Sequence, residues 1–177
     1  GNMTEKSAYF GPVPFSPLLL VISGPSGIGK DAVVQALRTR YSNQHFVITM
    51  TSRPPRPCEK NGVDYFFVSR EEFEHLVASG ELLEHAKVYS DYKGIPRKQV
   101  KEALESGKDV IMRLDVQGAM TIRSLCPEAV LIFLTASSRE EWINRLASRC
   151  SESPEEFELR VRTAEQEFSH LDIFDYI

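Results

Sequence analysis

The sequence predicts an α/β fold in which a parallel sheet core is flanked by helices. Three short apolar runs have the length and composition of strands buried on both faces: "LLLVIS" (18–23), "DVIMRLD" (109–115) and "AVLIFLT" (129–135). Segments with helical periodicity and capping residues separate these runs. Strands that alternate with helices need crossover connections, so the pattern predicts parallel pairing.

The first strand leads into the first helix through a glycine-rich turn. We predict this helix over about residues 30–41, with Val33, Val34 and Leu37 on its inner side. "HFVI" (45–48) is the next predicted strand. The chain therefore opens with a strand–helix–strand unit.

Four later helices have boundary signals. Three of them begin at a serine that precedes a glutamate by three residues, the pattern of an N-terminal capping box: Ser69, Ser138 and Ser153. The fourth, from about residue 97 to 106, stops at Gly107. The terminal "FDYI" (174–177) predicts a further strand.

The chain divides into a core and one insertion. Residues 1–17, which are rich in proline, are predicted to form a flexible N-terminal arm. Residues 50–96 are polar, with short strand-like pieces around one helix, and predict an inserted subdomain on the substrate side. The predicted core comprises residues 18–49, 97–135 and 157–177.

Composition excludes several classes of protein. The chain has 177 residues, a formal charge of -4 and three cysteines that are far apart. One globular domain fits this length, an acidic balance does not indicate nucleic-acid binding, and the cysteine spacing does not indicate disulfides or zinc. No apolar run approaches the roughly 20 residues of a membrane span. We expect a cytoplasmic protein, or a plastid or mitochondrial one if a transit peptide has been removed.

The glycine-rich turn predicts a phosphate-binding loop. It fits the pattern G-x-x-x-x-G-K with the residues Gly24, Pro25, Ser26, Gly27, Ile28, Gly29 and Lys30. The glycines let backbone N–H groups point at a phosphate, the helix N-terminus adds partial positive charge, and Lys30 can reach terminal phosphates. A strand before and a helix after the turn favour nucleotide binding over an ordinary turn.

Asp31 stands where this motif has a serine or threonine that contacts Mg²⁺. An unscreened carboxylate ~4 Å from a phosphate charge would repel it by roughly 4 kcal/mol at an effective dielectric near 20. Two interpretations stay open. Asp31 ligates Mg²⁺, directly or through water, or it points away as an acidic residue of the first helical turn.

A second anion site is predicted within "TMTSRPPRPCEKNGVDYFFVS" (49–69). Arg53 and Arg56 are three residues apart with prolines between them, so two guanidinium groups are held on a rigid turn that suits a phosphate. Tyr65 follows and can add a hydroxyl. Alone, this stretch could be a solvated basic turn, but beside a phosphate loop it predicts a second phosphate-bearing substrate.

From residue 18 to the end, the chain resembles the guanylate kinases. The similar segments, in the same order, are the phosphate loop, "TSRPPRPCEKNGVDYFFVS", "GELLEHAKVY", "LDVQGA", "RLASRCSESPEEFELRV" and "FDYI". "GKDAV" and "YKGIP" resemble the variant of plant organelle-type guanylate kinases. The resemblance implies the fold of a P-loop nucleoside monophosphate kinase, with residues 50–96 as the GMP-binding subdomain and residues 136–156 as a lid.

The resemblance implies transfer of the γ-phosphoryl group of ATP to GMP, or dGMP, which gives ADP and GDP. Residues 24–31 would bind ATP, and Asp31 and Asp115 would approach its Mg²⁺. The residues implied in GMP binding are Thr49, Arg53, Arg56, Tyr65, Glu84, Lys93 and Asp115. Glu84 suits guanine because a carboxylate can accept from the ring N–H and the exocyclic amine together. Asp115 can also cap the helix that starts at "VQGAM".

Three arginines around the implied lid would act with Lys30 as catalytic residues: Arg145, Arg149 and Arg160. Arginine donors stabilise the negative charge that spreads over a migrating phosphoryl group. We expect Arg149 and Arg160 to close on the phosphates. The alternative is that these are surface arginines paired with neighbouring glutamates.

Three further positions depart from the family pattern. Lys93 stands in place of a tyrosine that touches the GMP phosphate, Ile95 replaces a hydroxyl residue that helps to read guanine, and Arg113 replaces a second carboxylate. Guanine preference is therefore predicted to rest chiefly on Glu84. Arg113 could pair with Asp115, with Glu84 or with a phosphate.

The alternative function is a catalytically weak guanylate kinase-like binding module that recognises phosphorylated ligands. Lys30 and the glycine spacing are intact, which favours an enzyme. The expected partners are the small molecules ATP and GMP, with no nucleic acid and no membrane. We expect the chain to be a monomer or a homodimer.

Overall fold

The computed structural model describes residues 17–88, 90–149 and 153–177, apart from the side chains of Val88 and Arg149. Except for Pro17, the predicted N-terminal arm lies outside the described residues. No helix in these ranges is both long and apolar enough to cross a bilayer.

Four parallel strands form the core sheet. With strands numbered in chain order, they are β1 (Leu19–Ser23), β2 (Gln44–Phe46), β7 (Asp109–Arg113) and β8 (Val130–Phe133), and their spatial order is β2-β7-β1-β8. Val21, Met112 and Leu131, on three adjacent strands, are fully buried. The predicted α/β fold with a parallel sheet is therefore confirmed, and its core strands are covered on both faces.

Helices flank this sheet. They are α1 (Lys30–Arg40), α3 (Arg97–Glu105), α4 (Val116–Leu125), α5 (Arg139–Arg149) and α6 (Pro154–Glu167). The prediction for the inner side of α1 was wrong at Val33, which is 37% exposed, whereas Val34 and Leu37 are half-buried. Because α1 meets the sheet mainly at β7, only part of its apolar surface reaches the core.

A second sheet lies within residues 50–96. Its strands are β3 (Met50–Thr51), β4 (Phe66–Phe67), β5 (Leu82–Val88) and β6 (Asp91–Pro96), in the order β4-β3-β6-β5. Helix α2 (Arg70–Ala78) covers it through Phe73, which is fully buried and stacks on Tyr92 with the ring centres 5.2 Å apart. Strand pairing through β6 makes this region one packed unit beside the core sheet.

The predicted capping serines are confirmed. Ser69, Ser138 and Ser153 each accept a hydrogen bond from the backbone N–H three residues later, at 3.1, 3.1 and 3.3 Å. Helix α3 ends at Glu105, and Gly107 follows with a φ of 81°. At the other end of the chain, Tyr176 forms an isolated parallel bridge with Ile132 of β8, so the strand predicted over residues 174–177 is reduced to this one pairing.

Candidate active site

The phosphate loop depends on glycine at two closely packed points. Gly24 has a φ of 148°, and a Cβ there would lie 2.5 Å from the carbonyl oxygen of Leu134. Gly27 has a φ of 78°, and a Cβ there would lie 3.0 Å from the Leu146 side chain. Any larger residue would have to move the loop away from β8 and α5.

Helices α5 and α6 hold the same loop from the outside. The indole N–H of Trp142 on α5 donates to the Ser26 carbonyl over 2.8 Å. Arg160 on α6 donates to the Ser26 hydroxyl over 2.7 Å. Arg160 is therefore brought to the phosphate loop, as the sequence led us to expect, although its catalytic role stays a prediction.

Lys30 lies over the phosphate loop. Its ammonium group donates to the Gly24 carbonyl oxygen over 2.7 Å. Burial lowers the pKa of Lys30 from 10.5 to about 8, against the opposing effect of the Glu167 and Asp115 carboxylates. The two carboxylates offset only part of the cost of burying the Lys30 charge. An anionic ligand in the same space would therefore be favourable.

Two carboxylates complete this side of the site. Asp115 caps α4, where it accepts from the Gly118 N–H over 2.8 Å, so its predicted capping role is confirmed. Glu167 at the end of α6 was missed from the sequence. Burial raises the pKa of Glu167 to about 7, and Oε2 has no hydrogen-bond partner among the residues that the structure describes.

No local signal marks Glu167, because only the tertiary fold brings the end of α6 close to Lys30 and Asp115.

Glu59 was also missed from the sequence, although the local spacing R-x-x-R-x-x-E could have identified it. Arg53 holds the Glu59 carboxylate with a two-point contact, from Nη1 at 2.8 Å and from Nη2 at 3.0 Å. The Arg56 N–H adds a third bond to it at 2.7 Å.

The Arg53–Glu59 contact fixes the arginine turn. Hydrogen bonds from Arg53 are the main reason that the pKa of Glu59 falls to about 2. The side chain of Arg56 is exposed, and its charge adds to the lowering of the pKa of Glu59. The structure therefore brings Arg53 to the site in a fixed orientation, and the charge of Arg56 also adds to the effect of burial and of Arg53 in lowering the pKa of Lys93.

Three cations surround the ring of Tyr65. Measured to the ring centre, Arg53 Cζ lies at 5.2 Å, Lys93 Nζ at 5.6 Å and Arg113 Cζ at 5.2 Å. We call these three cations and Tyr65 the acceptor cluster. Burial lowers the pKa of Lys93, and the charge of Arg53 lowers it further. Like charges held this close are stabilised by a bound anion.

Thr49 and Glu84, two of the residues implied in GMP binding, are both buried. Glu84 is only 4% exposed, and its carboxylate packs against Gly118, where a Cβ would lie 3.0 Å from Oε1. Burial, and then the charge of Asp115, raise the pKa of Glu84 from 4.5 to about 8. Within residues 17–88, 90–149 and 153–177, no hydrogen bond reaches this carboxylate.

Ile95 lies opposite Glu84 in the β5–β6 pairing and is fully buried in the hydrophobic core. Its apolar side chain supplies no hydroxyl for a base. That recognition of guanine rests chiefly on Glu84 stays a prediction.

The Arg113 side chain pairs with neither Asp115 nor Glu84, which were two of its expected partners. Its guanidinium group contacts the carboxylate of Asp31 and donates to the Tyr65 hydroxyl over 2.8 Å. The negative charge of Asp31 is therefore balanced by Arg113. Neither of the two interpretations of Asp31 predicted this ion pair. Its role as a metal ligand stays a prediction.

The other two arginines predicted to be catalytic are Arg145 and Arg149. Arg145 forms an exposed ion pair with Glu141, 2.6 Å long, which matches the surface alternative considered for these arginines. The side chain of Arg149 lies outside the described residues. The catalytic roles of both residues stay predictions.

A glycine-rich loop between a buried parallel strand and a helix, with a second small sheet beside the core, is the arrangement of the P-loop nucleoside monophosphate kinase fold. The sequence profile of the guanylate kinase family matches residues 16–177. The chain belongs to the guanylate kinase family, and the resemblance found in its sequence is confirmed.

Individual relatives agree with this assignment. The chain is 47% identical over 165 residues to "Guanylate kinase 2, chloroplastic/mitochondrial" of Oryza sativa subsp. japonica, covering 93% of this chain and 58% of that protein. It is 43% identical over 160 residues to the guanylate kinase of Latilactobacillus sakei, covering 90% of this chain and 79% of that protein. The chain thus spans less than two thirds of the rice protein.

A solved structure supports the fold. The crystal structure of guanylate kinase from Anaplasma phagocytophilum superposes with a TM-score of 0.74 at 33% sequence identity. The match covers 91% of this chain and 75% of that chain.

Proposed function

We propose that the chain transfers the γ-phosphoryl group of ATP to GMP, or dGMP, and releases ADP and GDP. The observation that carries the proposal is the acceptor cluster of Arg53, Lys93 and Arg113 around Tyr65, next to the buried acceptor Glu84. The cluster suits the phosphate of a nucleoside monophosphate. Glu84 suits a base that offers two N–H donors side by side, as guanine does.

The phosphate loop would hold the donor nucleotide. Backbone N–H groups of the glycine turn and the N-terminus of α1 favour the phosphates, and Lys30 lies over the loop through its contact with Gly24. A triphosphate would bring negative charge to the buried ammonium of Lys30. This would raise its pKa again and hold it in the charged form at neutral pH.

In the reaction, a phosphate oxygen of GMP attacks the γ-phosphorus of ATP in line. The new bond joins that oxygen to phosphorus while the bond to the β–γ bridging oxygen breaks, and ADP leaves. Lys30 and Arg160 are the donors that stabilise the charge on the migrating group. The attacking oxygen is already anionic, so no protein base has to remove a proton.

Mg²⁺ is proposed to enter with ATP. The described ranges contain no group of three or more His, Cys, Asp or Glu side chains suited to a metal. This fits an ion that is held mostly by nucleotide phosphates and water, with one or two carboxylates from the protein. Asp115 fits such a site because it lies close enough to Lys30 to affect its pKa. When bound, the ion would neutralise part of the phosphate charge.

The test is release of ADP from ATP, measured with GMP, dGMP, IMP and AMP as acceptors. We expect turnover with GMP and dGMP, because both offer the paired donors that Glu84 accepts, and little turnover with AMP. Binding of GMP with no ADP release would instead support the catalytically weak binding module.

The compartment and the assembly state need their own measurements. We propose a cytoplasmic enzyme, with plastid or mitochondrion as the alternative, since one relative is named chloroplastic/mitochondrial. Imaging of the complete gene product with a fluorescent tag distinguishes them. Sedimentation of the purified chain distinguishes the proposed monomer from a homodimer.

A further inference from the structure

Arg113 lies between the phosphate loop and the acceptor cluster. One of its terminal nitrogens, Nη1, contacts the Asp31 carboxylate, and the other, Nη2, donates to the Tyr65 hydroxyl over 2.8 Å. Its Cζ lies 5.2 Å from the centre of the Tyr65 ring. A single side chain at the end of β7 thus joins the first turn of α1 to the acceptor site.

The contact with Arg113 decides how the Tyr65 hydroxyl can be used. A phenol has one proton to donate and lone pairs with which it accepts. Because Arg113 can only donate, the Tyr65 oxygen accepts from it and keeps its own proton for another partner. A charged donor also polarises the O–H group and strengthens the bond that it makes in turn. The hydroxyl is therefore prepared to donate to an anion.

Asp31 gives the arginine a second fixed point. An arginine side chain has several rotatable bonds, so a single hydrogen bond does not fix the plane of its guanidinium group. Asp31 is 74% exposed and Arg113 is 24% exposed, which makes the ion pair weak as a source of stability. The contribution of Asp31 is therefore orientation, and Arg113 in turn balances the charge of a carboxylate beside the phosphate loop.

We propose that Asp31 and Arg113 are positioning residues for the acceptor phosphate. Asp31 orients Arg113, and Arg113 sets the Tyr65 hydroxyl as a hydrogen-bond donor to that phosphate. The inference rests on the proposed function, since it takes GMP as the ligand. If it is correct, Asp31 in the first turn of α1, directly after the ATP loop, affects the binding of GMP.

The test is a double-mutant cycle on the Kd of GMP, measured by calorimetry without ATP or metal. Arg113→Met and Tyr65→Phe are each expected to raise the Kd about tenfold. The double variant is expected to match Tyr65→Phe alone, because Arg113 acts through a hydroxyl that this background lacks. Additive effects would overturn the proposal.

Two milder variants separate orientation from charge. Arg113→Lys keeps the cation but loses the two-pronged contact, and should raise the Kd about fivefold. Asp31→Asn should raise it about threefold, and should have no effect in the Arg113→Met background. A wild-type Kd in Arg113→Lys, or an Asp31→Asn variant that weakens only Mg²⁺-ATP binding, contradicts the inference.

Lys101 and Glu105 supply matched controls, because they form an exposed ion pair of 3.9 Å on α3. Lys101→Met and Glu105→Gln should keep the wild-type Kd. If the wild-type chain fails to bind GMP, the proposed function fails together with this inference. If wild type binds GMP but the variants behave additively, only the inference fails.

Discussion

The two proposed anion sites of this chain are built from different parts of the polypeptide. The phosphate loop is one continuous segment, residues 24–30, in which we propose that backbone groups and one lysine meet the ligand. The acceptor cluster collects side chains from β6, β7 and the turn between β3 and β4. The direct contacts of the cations also differ, since Arg53 and Arg113 are paired with the carboxylates of Glu59 and Asp31, whereas Lys30 donates to a backbone carbonyl.

This difference shows how each site tolerates change. A backbone site fails when a glycine gains a side chain, as the 2.5 Å approach at Gly24 indicates. A side-chain site can exchange one cation for another, as long as the charge and its orientation are kept. Lys93 and Arg113, the two departures within the acceptor cluster, go further, because each places a cation where the family pattern has a tyrosine or a carboxylate.

The largest expected effect lies on the loop side. Lys30→Met removes the one side-chain cation of the loop and should lower kcat by about 10³-fold. The Tm should not fall, because burial already disfavours this charge in the folded state. Steady-state kinetics and thermal melts check both parts. If kcat stays within tenfold of wild type, the backbone N–H groups of the loop supply most of the stabilisation and Lys30 does not.

Glu84→Gln tests the buried acceptor on the other side. It should lower kcat/KM for GMP by about 10²-fold, because an amide cannot accept from both guanine donors at once. Kinetics with GMP and AMP measure the loss of preference. Equal losses with both nucleotides would contradict a role in reading the base.

The same substitution should stabilise the chain at high pH. The folded-state pKa of Glu84 is raised from 4.5 to about 8, so its contribution to stability is complete below pH 4.5 and is lost as pH rises through about 8. Gln has no proton to lose. At pH 8.5 the Tm of the variant should exceed that of wild type by about 2–4 °C, and at pH 4.5 this advantage should disappear.

GMP binding should depend on pH for the same reason. If guanine needs the Glu84 carboxylate ionised, the Kd should fall about tenfold per pH unit as the pH rises from 6 toward the pKa of about 8. The phosphate of GMP also titrates near pH 6, so calorimetry on Glu84→Gln supplies the reference slope. Parallel slopes for the two proteins would show that Glu84 does not carry the dependence.

A smaller effect is expected at the arginine turn. Arg53→Lys keeps the charge but loses the two-point contact with Glu59, and should raise the KM for GMP about tenfold with little change in kcat. The matched change Arg70→Lys affects an exposed pair with Glu74 and should leave the KM unchanged. A fall in kcat instead would place Arg53 at the migrating phosphoryl group.

The sequence was sufficient to predict the loop side of the molecule. Its glycine spacing, strand and helix are local features, and the capping serines are local as well, so the core strands and most helix starts agree with the structure. The inner side of α1 was predicted less well. Val33 follows helical periodicity, but the position of α1 against β7 leaves it exposed.

The acceptor side could be predicted only in part. Arg53 and Tyr65 belong to one recognisable stretch, whereas the pairing of Arg113 with Asp31 joins residues 82 positions apart. Glu167 reaches the site only because α6 ends beside Lys30 and Asp115. Distances across the fold decide such contacts, and no local spacing encodes them.

The hydrogen bond from Trp142 to Ser26 has a practical consequence. Trp142 is the single tryptophan of the chain, and it is 2% exposed with its indole N–H held by the phosphate loop. The emission spectrum of an indole responds to its hydrogen bonding and to its contact with water. Intrinsic fluorescence of the unlabelled protein therefore reports on this one place, and a titration with ATP can be followed optically without attaching a dye.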